Sequence, residues 1–348
     1  MNATFERLMS QAARLTRGGN LKGATAAIQA ALFRRRPAMR ADDDSAVIDV
    51  EAREVDRDDT PIRPPAATRG EFIAGSYTNK AGTRDYKLFM PPGREGQALP
   101  LVVMLHGCTQ NPDDFAAGTR MNDAGLERGL FVLYAAQAQT ANPSRCWNWF
   151  KHNHQARDRG EPAILAGMTR DVMERYNIDP RRVYVAGLSA GGAMAAILGD
   201  AYPDLYAAVG VHSGLPTGSA VDVTSAFAAM KGAAAATAPT TAGRPTIVFH
   251  GDRDQTVHPV NGERLVAANP LGATPEIERV PSCNGRAYTR QNYRDSAGRI
   301  VAEHWVVHGT GHAWSGGSTD GSYTDAQGPD ATAQMLRFFA ANALPTVD

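Results

Sequence analysis

Only three of the 348 residues are cysteine: Cys108, Cys146 and Cys283. Their odd number and wide spacing exclude a disulfide-built scaffold and match no zinc motif. No apolar run approaches the ~20 residues that cross a bilayer, so no transmembrane segment is predicted. Charge of either sign is not in excess, since 36 Lys and Arg balance 36 Asp and Glu. Without a net field nothing draws in nucleic acid or an anionic membrane, and a neutral or apolar substrate fits better. The N-terminus lacks the unbroken apolar stretch of a signal peptide because Glu6 and Arg7 interrupt it, and a cytoplasmic location is the expectation. No internal repeat is evident. What remains is a chain with 43% hydrophobic and 21% charged residues, the composition of a globular protein with a sizeable core.

Three stretches differ in pattern. Residues 1–33 are predicted as an amphipathic helical hairpin: Phe5, Leu8, Met9, Ala12 and Leu15 keep a helical period, Gly18-Gly19-Asn20 breaks it, and Leu21, Ala24, Ile28 and Leu32 resume it. Such a hairpin either packs on the main domain or a second subunit, or docks on a partner or an apolar particle. Residues 34–69, rich in charge runs and proline with little periodicity, are read as a linker. Residues 70–348 form the predicted catalytic domain.

In that domain short apolar runs alternate with helical stretches. A strand pair around a turn is expected up to Gly93, then strands at 101–105, 130–136, 183–188, 207–214 and 246–251, with 303–308 as the last. Helices are expected at 161–177, 192–201 and 330–344, the last capped by Asp330, and the Ala-, Gly- and Thr-rich stretch 217–245 is a candidate lid. This alternation predicts an α/β fold: a mainly parallel sheet with helices on both faces.

The strongest chemical signal is Gly187-Leu188-Ser189-Ala190-Gly191, a G-x-S-x-G between a predicted strand and helix. In the α/β-hydrolase fold a nucleophilic serine sits on a sharp strand-to-helix turn with no room for side chains two positions either side. Serine is a weak nucleophile at neutral pH and needs a base and an orienting acid, which follow it in chain order as acid and then histidine. Asp254, on the loop after the strand at 246–251, is the expected acid, with Asp252 bonding to loop backbone instead. His312 is the expected base, flanked by Gly309 and Gly311, which would let its loop approach the elbow. His304 and His308 are read as structural, and His106 as holding its own loop in place. His152 and His154 have no further ligands in evidence, so neither metal nor cofactor is expected. Oxyanion donors are expected from the backbone N–H groups of Ala190 and Cys108. Three aromatics in Arg145-Cys146-Trp147-Asn148-Trp149-Phe150 either line an acyl-binding cleft or pack beneath a long loop. Trp314, two residues past His312, is a further cleft candidate. Cys108 and Cys146 fall in loops beside the site and either pair, in an oxidising compartment, or stay reduced.

LPLVVMLHGCTQNPDDFA, RCWNWF, VYVAGLSAGGAMA, VGVHSGLP and GTGHAWSGG, in this order, resemble the poly(3-hydroxybutyrate) depolymerase family of esterases, which is related to feruloyl and acetylxylan esterases. The resemblance covers residues ~70 to 344. It implies Ser189, Asp254 and His312 as the triad, Cys108 and Ala190 as oxyanion donors, and a short-chain hydroxyalkanoate ester as substrate. Secreted members carry a leader and often a polymer-binding domain; neither is evident here, so an intracellular polymer or soluble oligomers are expected, with residues 3–33 as a granule or homo-oligomer contact. Two other readings stand beside it: a feruloyl or acetyl esterase acting on carbohydrate esters, and a granule-binding adaptor whose hydrolase fold is incidental.

Overall fold

The apolar runs become strands because each is apolar at both parities, so both faces can be covered. The computed structural model describes residues 69–93, 96–233, 244–267, 274–282 and 285–345. The predicted hairpin at 1–33 and linker residues 34–68 lie outside the described residues. Strands β1 (Glu71–Asn79), β2 (Gly82–Met90), β3 (Leu99–Leu105), β4 (Phe131–Ala135), β5 (Ile178–Leu188), β6 (Ala208–His212), β7 (Thr246–Gly251), β8 (Glu276–Val280), β9 (Tyr288–Arg294) and β10 (Ile300–Val307) form one sheet in the order 1-2-4-3-5-6-7-10-9-8. From β4 to β10 in that order neighbours run parallel, while β1–β2–β4 and β10–β9–β8 pair antiparallel. The antiparallel pair β8–β9 is an addition to the strands that the apolar runs predict. Its strands are short of apolar residues and their pattern is carried by charge: β8 is almost wholly exposed, and Glu278 and Glu276 pair with Arg290 and Arg294 at 2.5 and 3.0 Å.

Alternate residues of the central strands enter two separate cores. Leu101, Val103, Leu105, Val183, Val185, Val209, Val211 and Val248 face one; Val102, Met104, Tyr184, Ala186, Ile247 and Phe249 face the other. Helices α1 (Pro112–Thr119) and α2 (Met121–Arg128) follow β3, α3 (Gly160–Arg175) precedes β5, and α4 (Ala190–Ala201) leaves it. Then come α5 (Val223–Met230), α6 (Val260–Ala267) and α7 (Ala331–Ala340). Buried residues of α3, α4, α5 and α6 fill the first core, and those of α1, α2 and α7 the second. Asp330 caps α7 as expected, accepting the Ala333 N–H at 2.9 Å. Of the candidate lid, the structure describes α5 on an Asp222 capping box, and residues 234–243 lie outside it. Among the described residues no helix is long and apolar enough to cross a membrane.

Because β5, β6, β7 and β10 are parallel neighbours, the loops after them emerge along one edge of the sheet. Ser189, His212, Asp254 and His312 all sit there.

Candidate active site

Ser189 follows β5 directly and precedes the first residue of α4, with φ 59° and ψ −120°. A non-glycine residue in this region carries a strain of roughly 1–3 kcal/mol, which the surrounding structure must hold. The glycines make the turn sterically feasible. A Cβ on Gly191 would lie 2.0 Å from the Leu105 carbonyl oxygen, and one on Gly187 2.4 Å from Gly191 C. The Ser189 N–H donates to the His212 carbonyl at 2.8 Å, pinning the elbow to the neighbouring strand.

Asp254 lies on the loop after β7 with its side chain fully buried. Its Oδ1 accepts the N–H groups of Thr256 and Val257 at 2.8 and 2.9 Å. Its Oδ2 accepts from His312 Nδ1 at 2.6 Å, with His250 Nε2 3.4 Å away. Burial works against the charge of Asp254, but hydrogen bonds from His250 and His312 outweigh it and hold the carboxyl far below the ordinary carboxylate range. A carboxylate only accepts, so His312 carries a proton on Nδ1, which in the neutral ring leaves Nε2 bare, the tautomer a general base needs. Asp252 does bond to loop backbone: it accepts the Gly309 N–H at 2.7 Å and meets His308 Nδ1 at 2.9 Å. The close approach of the His312 loop is allowed by Gly251, where a Cβ would be 2.3 Å from the Thr310 oxygen, and not by Gly311, which has open space around it. Among the described residues no hydrogen bond joins Ser189 Oγ to His312. The serine and the histidine are linked through their loops, and catalytic contacts of free enzymes often close only with substrate in place.

The loop after β3 carries the second expected donor. His106 is buried; its Nδ1–H donates to the Gly107 oxygen at 2.7 Å and its Nε2 accepts the Gln137 N–H at 3.1 Å. Burial pushes its pKa down to about 4, against the Gly107 hydrogen bond, so the ring stays neutral and holds the loop. Cys108 is joined to Cys146, on the loop after β4, by a disulfide. Neither the Cys108 N–H nor the Ala190 N–H donates to a protein acceptor among the described residues, so both remain available as donors. A cavity of ≈ 510 Å³ lies behind this loop, lined by His106, Gln110, Gln137 and Arg145 among others, but not by Ser189 or His312.

Of the two readings for the Arg145–Phe150 aromatics, Trp147 and Trp149 follow packing beneath the loop, and Trp314 is not at the cleft position expected of it. Trp147 is fully buried and its indole N–H donates to the His106 oxygen at 3.1 Å; Trp149 is 6% exposed, in the same core. Trp314 is 1% exposed, stacked on His212 and bonded to Thr332 Oγ1 at 3.2 Å. All three are packed in the cores: Trp147 and Trp314 each find an internal acceptor for the one polar atom and can bury the rest, and Trp149 packs edge-on against Phe150. Neither His152 nor His154 gathers further ligands: His154 faces the buried Glu161, and no group of three His, Cys, Asp or Glu among the described residues is placed to hold a metal.

Six parallel central strands, with a serine elbow and a histidine–aspartate pair on loops at their C-terminal ends, define the α/β-hydrolase fold. The model of the family described as Esterase PHB depolymerase matches residues 84–271, and the chain belongs to that family. It is 30% identical over 258 residues to poly(3-hydroxyalkanoate) depolymerase C of Paucimonas lemoignei, covering 69% of this chain and 60% of that one. It is 29% identical to the poly(3-hydroxybutyrate) depolymerase of Ralstonia pickettii, covering 70% of this chain and 54% of that one. The match thus spans less than two thirds of either relative's length. Feruloyl esterase B of Thermothelomyces thermophilus is 28% identical, over 56% of this chain and 73% of its own. Among solved structures, an acetyl xylan esterase from Aspergillus awamori superposes with a TM-score of 0.61 at 18% identity, over 77% of this chain and 99% of that one, a likeness of fold.

Proposed function

We propose that the chain is a serine esterase that hydrolyses poly(3-hydroxybutyrate) or short hydroxyalkanoate oligomers through an acyl-enzyme. The observation that carries the mechanism is the 2.6 Å His312–Asp254 hydrogen bond, on a loop tied to the Ser189 elbow. In this reading His312 Nε2 takes the Ser189 proton as Oγ adds to the ester carbonyl. The N–H groups of Cys108 and Ala190 receive the oxyanion, each such donor being worth about 3–4 kcal/mol in the transition state. Collapse transfers the proton to the departing alcohol. Water then repeats the cycle and frees the hydroxy acid. Asp254, held ionised, keeps the tautomer and stabilises the imidazolium.

The substrate rests on family membership and on the depolymerase names of two relatives. A feruloyl or acetyl esterase is the second reading, favoured by feruloyl esterase B, most of whose length the chain covers. Release of hydroxybutyrate from amorphous polymer, absent with Ser189→Ala, is the expected result, the variant losing on the order of 10³-fold or more. Ferulate released from a feruloylated oligosaccharide, with no product from the polymer, would overturn the substrate and keep the serine mechanism.

The Cys108–Cys146 disulfide supports an oxidising compartment over the cytoplasm. For residues 3–33 we propose adsorption to the polymer surface, resting on their amphipathic pattern. Deleting residues 1–40 is expected to weaken binding to polymer particles while sparing turnover of a soluble ester; unchanged binding refutes it.

A further inference from the structure

The nucleophile elbow and the His312 loop meet at a residue that neither the elbow nor the triad pattern uses. His212 ends β6, between the strand that leads to Ser189 and the strand that leads to Asp254, and is fully buried. Its carbonyl accepts the Ser189 N–H at 2.8 Å. Its Nε2 accepts the N–H of Ser315, three residues beyond His312, at 2.9 Å. A backbone N–H only donates, so this Nε2 carries no proton; the proton is on Nδ1, which faces Ser213 Oγ at 3.2 Å. Phe249 and Trp314 stack on the ring at 5.7 and 5.1 Å, with interplanar angles of 17° and 27°. Burial lowers the pKa to about 3; His250 and His312 push the same way and Asp254 opposes them, so the ring keeps its acceptor at working pH.

The His312 loop is otherwise held by the acid loop, through Gly309 N–H to Asp252, His312 Nδ1 to Asp254 and the Arg253 N–H to the Thr310 oxygen, and by Thr310 Oγ1 donating to Asp325. Among the described residues, its hydrogen bond to β6 is the one from the Ser315 N–H to His212 Nε2.

We propose that His212 is a positioning residue that sets the separation of Ser189 from His312, its backbone fixing the elbow and its ring fixing the end of the histidine loop. The inference rests on the reading of Ser189 as nucleophile and His312 as base. Reacting groups misplaced by about 1 Å lose on the order of 10²-fold in rate, so one buried acceptor suffices to matter.

His212→Phe keeps a stacking ring and removes the acceptor, whereas His212→Gln places an amide oxygen near the position of Nε2. On a soluble ester, His212→Phe is expected to lower kcat by about 10–100-fold with KM within about twofold. Covalent labelling by a fluorophosphonate should slow to the same extent, and His212→Gln should recover most of both. An unchanged kcat in His212→Phe overturns the inference, as does a loss that His212→Gln leaves unrecovered. Should His212→Phe fail to fold, the imidazole ¹⁵N spectrum of the unaltered protein decides. A proton on Nδ1, a bare hydrogen-bonded Nε2 and no titration between about pH 5 and 9 are expected; the opposite tautomer, or titration in that range, overturns it. If the unaltered protein takes no label at all, the Ser189 reading fails, and the inference with it.

Discussion

At the scale of single residues, the site depends on how few proton positions are left open. Asp254 already accepts two backbone N–H groups and the His312 ring, so an amide in its place would have to turn its own N–H toward a donor. Asp254→Asn is therefore expected to select the wrong His312 tautomer and lower kcat by about 10³–10⁴-fold with little change in KM, measured on a soluble ester. A variant within tenfold of the parent would remove Asp254 from the mechanism. Ser189, Asp254 and His312 are legible in the sequence because each follows a strand and two are flanked by glycine, a local pattern. The tryptophans are legible as aromatic and no more. Which way Trp147 and Trp314 point depends on distant acceptors, the His106 oxygen and Thr332 Oγ1, that no local pattern announces. His212 is hidden for the same reason: its two partners are 23 and 103 positions away in the chain.

Among the elements, the loops after β3 and β4 are coupled by one covalent link across 38 residues. Closing a loop of this length stabilises a fold by up to about 4 kcal/mol in the chain-entropy model. The link also ends at Cys108, the residue proposed above as an oxyanion donor. Cys146→Ala is thus expected to lower the denaturation midpoint and to reduce kcat beyond what the lost stability explains under conditions where the variant remains folded. Full kcat in a folded, less stable variant would make the disulfide a stability device alone. Strands β3 to β7 are legible because a strand buried on both faces reads as an unbroken apolar run. By contrast β8 and β9 escape notice: Glu276, Glu278, Arg290 and Arg294 satisfy one another across the pair, and charge pairing leaves no hydrophobic period.

For the molecule as a whole, the sheet buries several histidines as neutral rings. His106 and His304 are held down at about 4 and His212 at about 3, burial being the largest cause in each. The unfolded chain binds protons at these positions from about pH 6.5 down, whereas the folded chain does not until pH 4 or 3. Their contribution to stability is therefore complete above about pH 6.5 and is lost as pH falls through the folded values. Three such groups remove up to about 4 kcal/mol per pH unit in that window. Against a typical total of about 5–15 kcal/mol, acidification by one to two units below about pH 6.5 removes a large share of the stability. Glu161 adds to this at the acid end: burial opposes its charge, but the nearby His154 and hydrogen bonds from Gln137 and the Asn148 N–H hold it at about 2, a gain lost only below about pH 4. Calorimetry should find a melting temperature nearly flat from about pH 9 to 7 and falling steeply below about pH 6. An unchanged melting temperature at about pH 5 would refute the neutral rings. The charged outer strand β8 matters on a different axis. Its glutamates are already matched by arginines of its own sheet, so a second copy meets a row of paired charges instead of a bare template for sheet extension. Molecules crowded side by side can then stay separate particles, without seeding fibres from that edge.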